Sequence, residues 1–186
     1  MAYLRTTVNN LCLNQIRATG SRPNLVAIDA DTTQERLNEI SAEAHGDFRG
    51  TLGEALKGAD VFIGVSAPNI VSEADVASMA PNSIVFALAN PDPEVDPVIA
   101  RKYAAVVATG RSDQPNQINN VLAFPGIFRG LLDAHISKIT EKMLVAAAEA
   151  IAGCVSADQL NANFIVPSVF DARVVGAVAN AVKSAS

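Results

Sequence analysis

At 186 residues, 49% hydrophobic and 18% charged, the chain is long enough to bury a core without disulfides or metals and too apolar to be disordered. Its formal charge of −5 at pH 7 argues against a nucleic-acid surface, which needs a net basic face. No apolar run reaches the roughly 18 residues that span a bilayer, and MAYLRTTVNN lacks the apolar stretch of a signal peptide. The expectation is one domain over residues 1–186, away from membranes and cytoplasmic, with Cys12 and Cys154 as reduced thiols.

In chain order, Val8, Leu11, Cys12, Gln15 and Ile16 fall at helical spacing, and Gly20 can end that helix. NLVAID (24–29) is a short apolar run closed by Asp, as in a buried parallel strand. TTQERLNEISAEAHG (32–46) reads as a helix with Leu37 and Ile40 facing inward. TLGEALKGA (51–59) is a short helix whose Thr51 and Glu54 have capping-box spacing. DVFIGVSA (60–67) is a second strand, SEADVASMA (72–80) a helix capped by Ser72, and SIVFALAN (83–90) a third strand. DPVIARKYA (96–104) starts a helix with Pro97 at its first position, where a missing N–H costs nothing. AAVVATG (104–110) is a fourth strand. Three or four helices are predicted from Asn119 onward, including ones over 139–155 and 173–185. Near-continuous apolar strands separated by helices predict an α/β fold, a Rossmann-like doubly wound parallel sheet followed by C-terminal helices.

In such a sheet, ligands bind off the carboxyl ends of the strands. Small residues and carboxamides collect there: Gly64, Ser66, Ala67, Pro68 and Asn69 after the second strand, Asn90 after the third, and Gly110 to Asp113 after the fourth. A carboxamide can hydrogen-bond a nicotinamide or a carboxylate without titrating. Asp29 stands where a dinucleotide fold places a carboxylate on the adenosine ribose, and it would repel the extra phosphate of NADP. The same Asp can instead cap the helix beginning near Thr32.

The GxGxxG loop that should open the first helix is missing, since positions 4–9 read LRTTVN. Too few residues precede that helix for a full central strand, so the first strand and phosphate loop are expected to be truncated, lost or rebuilt. Thr6 and Thr7 are then the remaining hydroxyls for an anion.

The run GRSDQPNQINNVLAFPGIFRG (110–130) sets Asn116, Gln117, Asn119 and Asn120 beside an apolar stretch. Ligand contact and helix capping both account for it. Arg111 and Asp113 can bind a ligand or hold the loop as an ion pair. His45 and His135 stand apart from any ligand cluster. The acids of PDPEVDP (91–97) read as a turn and helix start rather than a metal site, and the alanine-rich 144–152 as packing surface.

GTLGEALKGADVFIGVSAPN, MAPNSIVFALANPDPEV and VVATGRSDQPNQINNVLAFPGIFRG together resemble the malic enzymes, malate oxidoreductases that decarboxylate their substrate, closest to the small bacterial type. ISKITEKMLVAAAEAIA and FIVPSVFDARVVGAVANAV fit more loosely, so the resemblance covers roughly residues 15–186. It implies the NAD(P)-binding domain of that family, oxidation of L-malate by NAD (NADP less favoured), decarboxylation to pyruvate, a Mg or Mn ion, and a homo-oligomer. Asp29, Ser66, Ala67, Asn90 and Asn119 are similar to the family's cofactor contacts, and Asn90 and Asn120 to its malate contacts. The family's base Lys, acid Tyr and Glu/Asp/Asp metal ligands normally precede the glycine loop. Tyr3, Tyr103, Lys57, Lys102, Lys138, Lys142 and Lys183 do not match those motifs. The chain is therefore expected to bind without turning over, its catalytic N-terminal domain or a complementary chain being a partner. The alternative is a non-catalytic structural or regulatory module.

Overall fold

The computed structural model describes residues 25–28 and 50–186. Asp29, Thr6, Thr7, Tyr3, Cys12, His45 and the helices predicted over 5–20 and 32–46 lie outside the described residues. The described chain forms two compact units, one ending at Ile118 and the other beginning at Asn119.

The first unit carries a four-stranded parallel sheet of β1 (Leu25–Ile28), β2 (Val61–Gly64), β3 (Ile84–Ala87) and β4 (Val106–Thr109), paired in chain order. Val61 pairs with Ile84, and Ile84 with Val106, so the strands end level at one rim. Among the described residues, three short helices lie between them, α1 (Leu52–Leu56), α2 (Glu73–Ala77) and α3 (Pro97–Ala100). Each is fixed at its start by the side chain the sequence offers. Thr51 and Glu54 form a reciprocal capping box, as do Ser72 and Asp75. Asp96 accepts the Val98 N–H at 2.8 Å, with Pro97 following it.

Helices of four or five residues are not stable alone. They persist because Leu52, Leu56, Val76 and Ala100 pack into one cluster with Phe62, Val85 and Val107 of the sheet. Val61, Ile84 and Phe86, which point to the opposite face, are buried as well, explaining why these strands read as unbroken apolar runs rather than alternating ones.

The second unit opens with a 3₁₀ turn (Asn120–Leu122) and continues as α4 (Phe124–Asp133), α5 (Glu141–Ala152) and α6 (Ala172–Ser184). Met143, Ala147, Ala148 and Ile151 of α5 and Val174, Val178 and Val182 of α6 are its buried positions. Helix α4 meets α6 at two glycines one turn apart. A Cβ on Gly126 would lie 2.5 Å from that of Val178, and one on Gly130 2.7 Å from the Ala179 carbonyl oxygen. The outward face of α4 leaves Phe124, Phe128 and Leu132 exposed. Among the described residues no helix is long and apolar enough to cross a membrane.

Candidate functional site

Among the described residues, three loops build the carboxyl rim of the sheet. After β2 the chain turns through Ser66 and Ala67, both half-buried, to the exposed Pro68 and Asn69. After β3 comes Leu88, whose N–H donates to the Gly64 carbonyl at 2.9 Å, then buried Ala89 and exposed Asn90. After β4, Thr109 is fully buried and Gly110 is exposed, a Cβ there meeting only the Ile118 carbonyl oxygen at 3.9 Å.

One side chain ties the first two loops together. Glu94 is 0% exposed. Its Oε1 accepts the Ser66 N–H at 2.8 Å and the Ser66 hydroxyl at 3.1 Å, while its Oε2 accepts the Ala89 N–H at 3.0 Å. The backbone repeats the connection, since Asn69 N–H donates to the Pro93 carbonyl and Val71 N–H to the Glu94 carbonyl, both at 3.0 Å. PDPEVDP is thus a turn and helix start, as its prolines suggested, but its glutamate is an interior residue. Flanking prolines made it look like a solvated turn. The only sequence signal was the apolar Val95 beside it, itself buried.

In the third loop, Asn116 adopts a left-handed backbone, φ 58°, and is buried. Its Nδ2 donates to the Val107 carbonyl at 3.0 Å, so this carboxamide secures the loop. Ile118 N–H returns to the Thr109 carbonyl at 2.8 Å. Arg111 donates to both carboxylate oxygens of Asp113 at 2.8 Å and lies 3.8 Å from Asp92. Of the two roles the sequence left open for this pair, the described contacts are those of a loop-holding ion pair. In the second unit, Asn119 Oδ1 accepts the Val121 N–H at 3.0 Å and so caps the 3₁₀ turn, and Asn120 is exposed. His135 is exposed too.

The Arg111 hydrogen bonds hold the Asp113 carboxyl at about 2, below its ordinary 3.8. With the folded value depressed, the pair's contribution is complete above the ordinary carboxylate range and is lost as pH falls through about 2. Substituting Arg111→Gln should move the Asp113 titration midpoint, followed by carboxyl-carbon NMR, back up toward that range. An unmoved midpoint would contradict the assignment.

Small residues expose backbone at Ala67 and Gly110, and among the described residues nothing hydrogen-bonds the Asn90 carboxamide. Among the described residues no three His, Cys, Asp or Glu side chains are placed together to hold a metal ion.

Residues 29–186 match the family described as malic enzyme, NAD-binding domain. The chain belongs to that family. It is 49% identical over 184 residues to an NAD-dependent malic enzyme of Geobacillus stearothermophilus, covering 94% of this chain and 38% of the relative. It is 52% identical over 151 residues to a bifunctional malic/malolactic enzyme of Bacillus subtilis, covering 80% of this chain and 37% of the relative. The crystal structure of an NAD-dependent malic enzyme from Thermotoga maritima superposes with a TM-score of 0.79 at 34% identity, over 98% of this chain and 58% of that one. This malic-enzyme chain thus spans less than two fifths of the length of either curated relative. The Rossmann-like α/β fold read from the strand pattern is that of this family's NAD-binding domain.

Proposed function

We propose that this chain forms the dinucleotide and substrate-amide side of an NAD-dependent oxidation and decarboxylation of L-malate to pyruvate. The observation that supports it most is the gathering of the Ser66–Ala67 turn and the Asn90 carboxamide, which has no hydrogen-bond partner among the described residues, on the loops that follow β2 and β3. Bound there, NAD supplies the acceptor for the malate hydride. Asp29 holds the adenosine ribose and disfavours the phosphate of NADP. Ser66 and Ala67 pass the nicotinamide ribose, and Asn90 meets the nicotinamide end. Asn90 hydrogen-bonds malate as well, and a carboxamide does this without changing charge as the substrate is oxidised. The proton-transferring base and acid, and the divalent ion, belong to the stretches that the longer relatives carry outside the shared region.

A second reading, a non-catalytic structural or regulatory module, is favoured by the glycine-free LRTTVN at 4–9, which cannot bring its backbone as close to a pyrophosphate. One calorimetric experiment separates the two. On the first reading NAD+ binds saturably at millimolar or tighter concentration, and adding L-malate and Mn²⁺ to this chain alone yields no NADH absorbance. No binding at all supports the second reading, and clear turnover overturns the assignment of base, acid and metal to other polypeptide.

A further inference from the structure

We propose that Glu94 is a positioning residue that sets the Ser66–Ala67 turn against the Ala89–Asn90 peptide, so that cofactor and substrate contacts keep one spacing. The proposal rests on the functional reading above and extends it to a residue that touches neither ligand. Three features carry it. The side chain is wholly buried, yet its two oxygens are divided between two loops, one taking both donors of Ser66 and the other the N–H of Ala89. The chain gives up a side chain to make room for it, because a Cβ on Gly64 would come within 2.5 Å of the Glu94 carboxyl carbon. The peptide that Ala89 opens leads directly into Asn90, so the clamp reaches the rim carboxamide through one backbone step.

A rigid two-loop tie of this kind matters where a ligand must meet both loops at once, because a small misplacement of one contact set weakens the whole. The carboxyl is the only group of its size with an acceptor for each loop. The isosteric carboxamide of Gln has one oxygen and one NH2, so it must turn a donor toward either Ser66 or Ala89 and release that loop.

The test compares NAD+ with ADP, which lacks the nicotinamide and its ribose, by calorimetry on the unsubstituted chain, E94Q and V76A. Val76 is buried in α2 of the same unit and away from the rim, so V76A reports general loosening. The clamp predicts that E94Q weakens NAD+ about tenfold while ADP changes by less than about twofold, and that V76A leaves the ratio of the two unchanged. Equal losses for both ligands in E94Q, or no loss, overturn the clamp. Failure of the unsubstituted chain to bind NAD+ overturns the functional reading and the clamp with it, whereas binding with an unaffected E94Q overturns the clamp alone. Should E94Q not fold, amide exchange on the unsubstituted chain decides. NAD+ then slows the Ser66 and Ala89 amides together if one side chain governs both, and slowing at only one of them overturns the proposal.

Discussion

Substituting both Gly126 and Gly130 by alanine should lower the stability of the helical unit by about 4 kcal/mol, read as a lower urea midpoint at unchanged slope. Alanine normally gains about 1 kcal/mol over glycine within a helix, so the expected sign is opposite to propensity. The reason is the approach of α4 to α6. The new methyl of Gly126→Ala would meet Val178 Cβ at 2.5 Å and the Val175 carbonyl oxygen at 3.0 Å. That of Gly130→Ala would meet the Ala179 carbonyl oxygen at 2.7 Å and Val182 Cβ at 2.8 Å. Backbone atoms cannot rotate aside, so the helices must separate and lose contact around Val178 and Val182, both fully buried. Gly176, on α6 itself, provides the contrast. A methyl added there would meet nothing within 4 Å, so G176A should stabilise by roughly 0.5–1 kcal/mol. A double variant no less stable than the unsubstituted protein would mean that α4 and α6 do not pack through their glycines.

Gly64→Ala is expected to cost about 3 kcal/mol and to lower the thermal midpoint by roughly 6–12 °C. Its methyl would occupy the space of the Glu94 carboxyl, with Cδ at 2.5 Å, Oε1 at 2.6 Å and Cγ at 2.9 Å. Because Glu94 is fully buried, it has no solvent-facing rotamer to retreat into without dragging the loop after β3 outward. Ser66 and Ala89 would then lose the acceptor of three hydrogen bonds. Since both changes act through the same space, G64A and E94A should combine at less than the sum of their separate costs, and strict additivity would show that Gly64 and Glu94 are not coupled.

The strands were legible because a sheet buried on both faces writes itself as a continuous apolar run, and each predicted strand contains the observed one. The runs overshoot the ladders: 60–67 against Val61–Gly64 and 83–90 against Ile84–Ala87. Apolar character continues into Val65, Ala67, Leu88 and Ala89, which stay buried or half-buried beyond the ladders. Helix starts were similarly readable from Thr51 and Ser72, whose side chains form the caps seen, and from Pro97 at the first position of its helix. Helix ends were not, and 96–104 shrinks to Pro97–Ala100 because no C-terminal signal marks the stop.

Within the candidate site, the carboxamides were found by residue type, but type does not report orientation. Asn116 turns inward to Val107 and Asn119 caps its own turn, while Asn90 is left unengaged among the described residues. Glu94 escaped because its partners lie 28 positions earlier, at Ser66, and no local pattern announces a distant pair of donors. The paired glycines of α4 escaped as well, because only the facing Val178 and Ala179 give their spacing a meaning.

The in-order sheet also governs how such a chain comes together. Val61 finds Ile84, and Ile84 finds Val106, only after an entire helical crossing has been threaded between them, so no ladder can zip up from a tight hairpin. The intervening coils are too brief to persist beforehand, which leaves neither strand nor helix a head start. Assembly of this half must therefore be concerted and comparatively slow, with the entropy of several large loops surrendered before the first contacts give anything back.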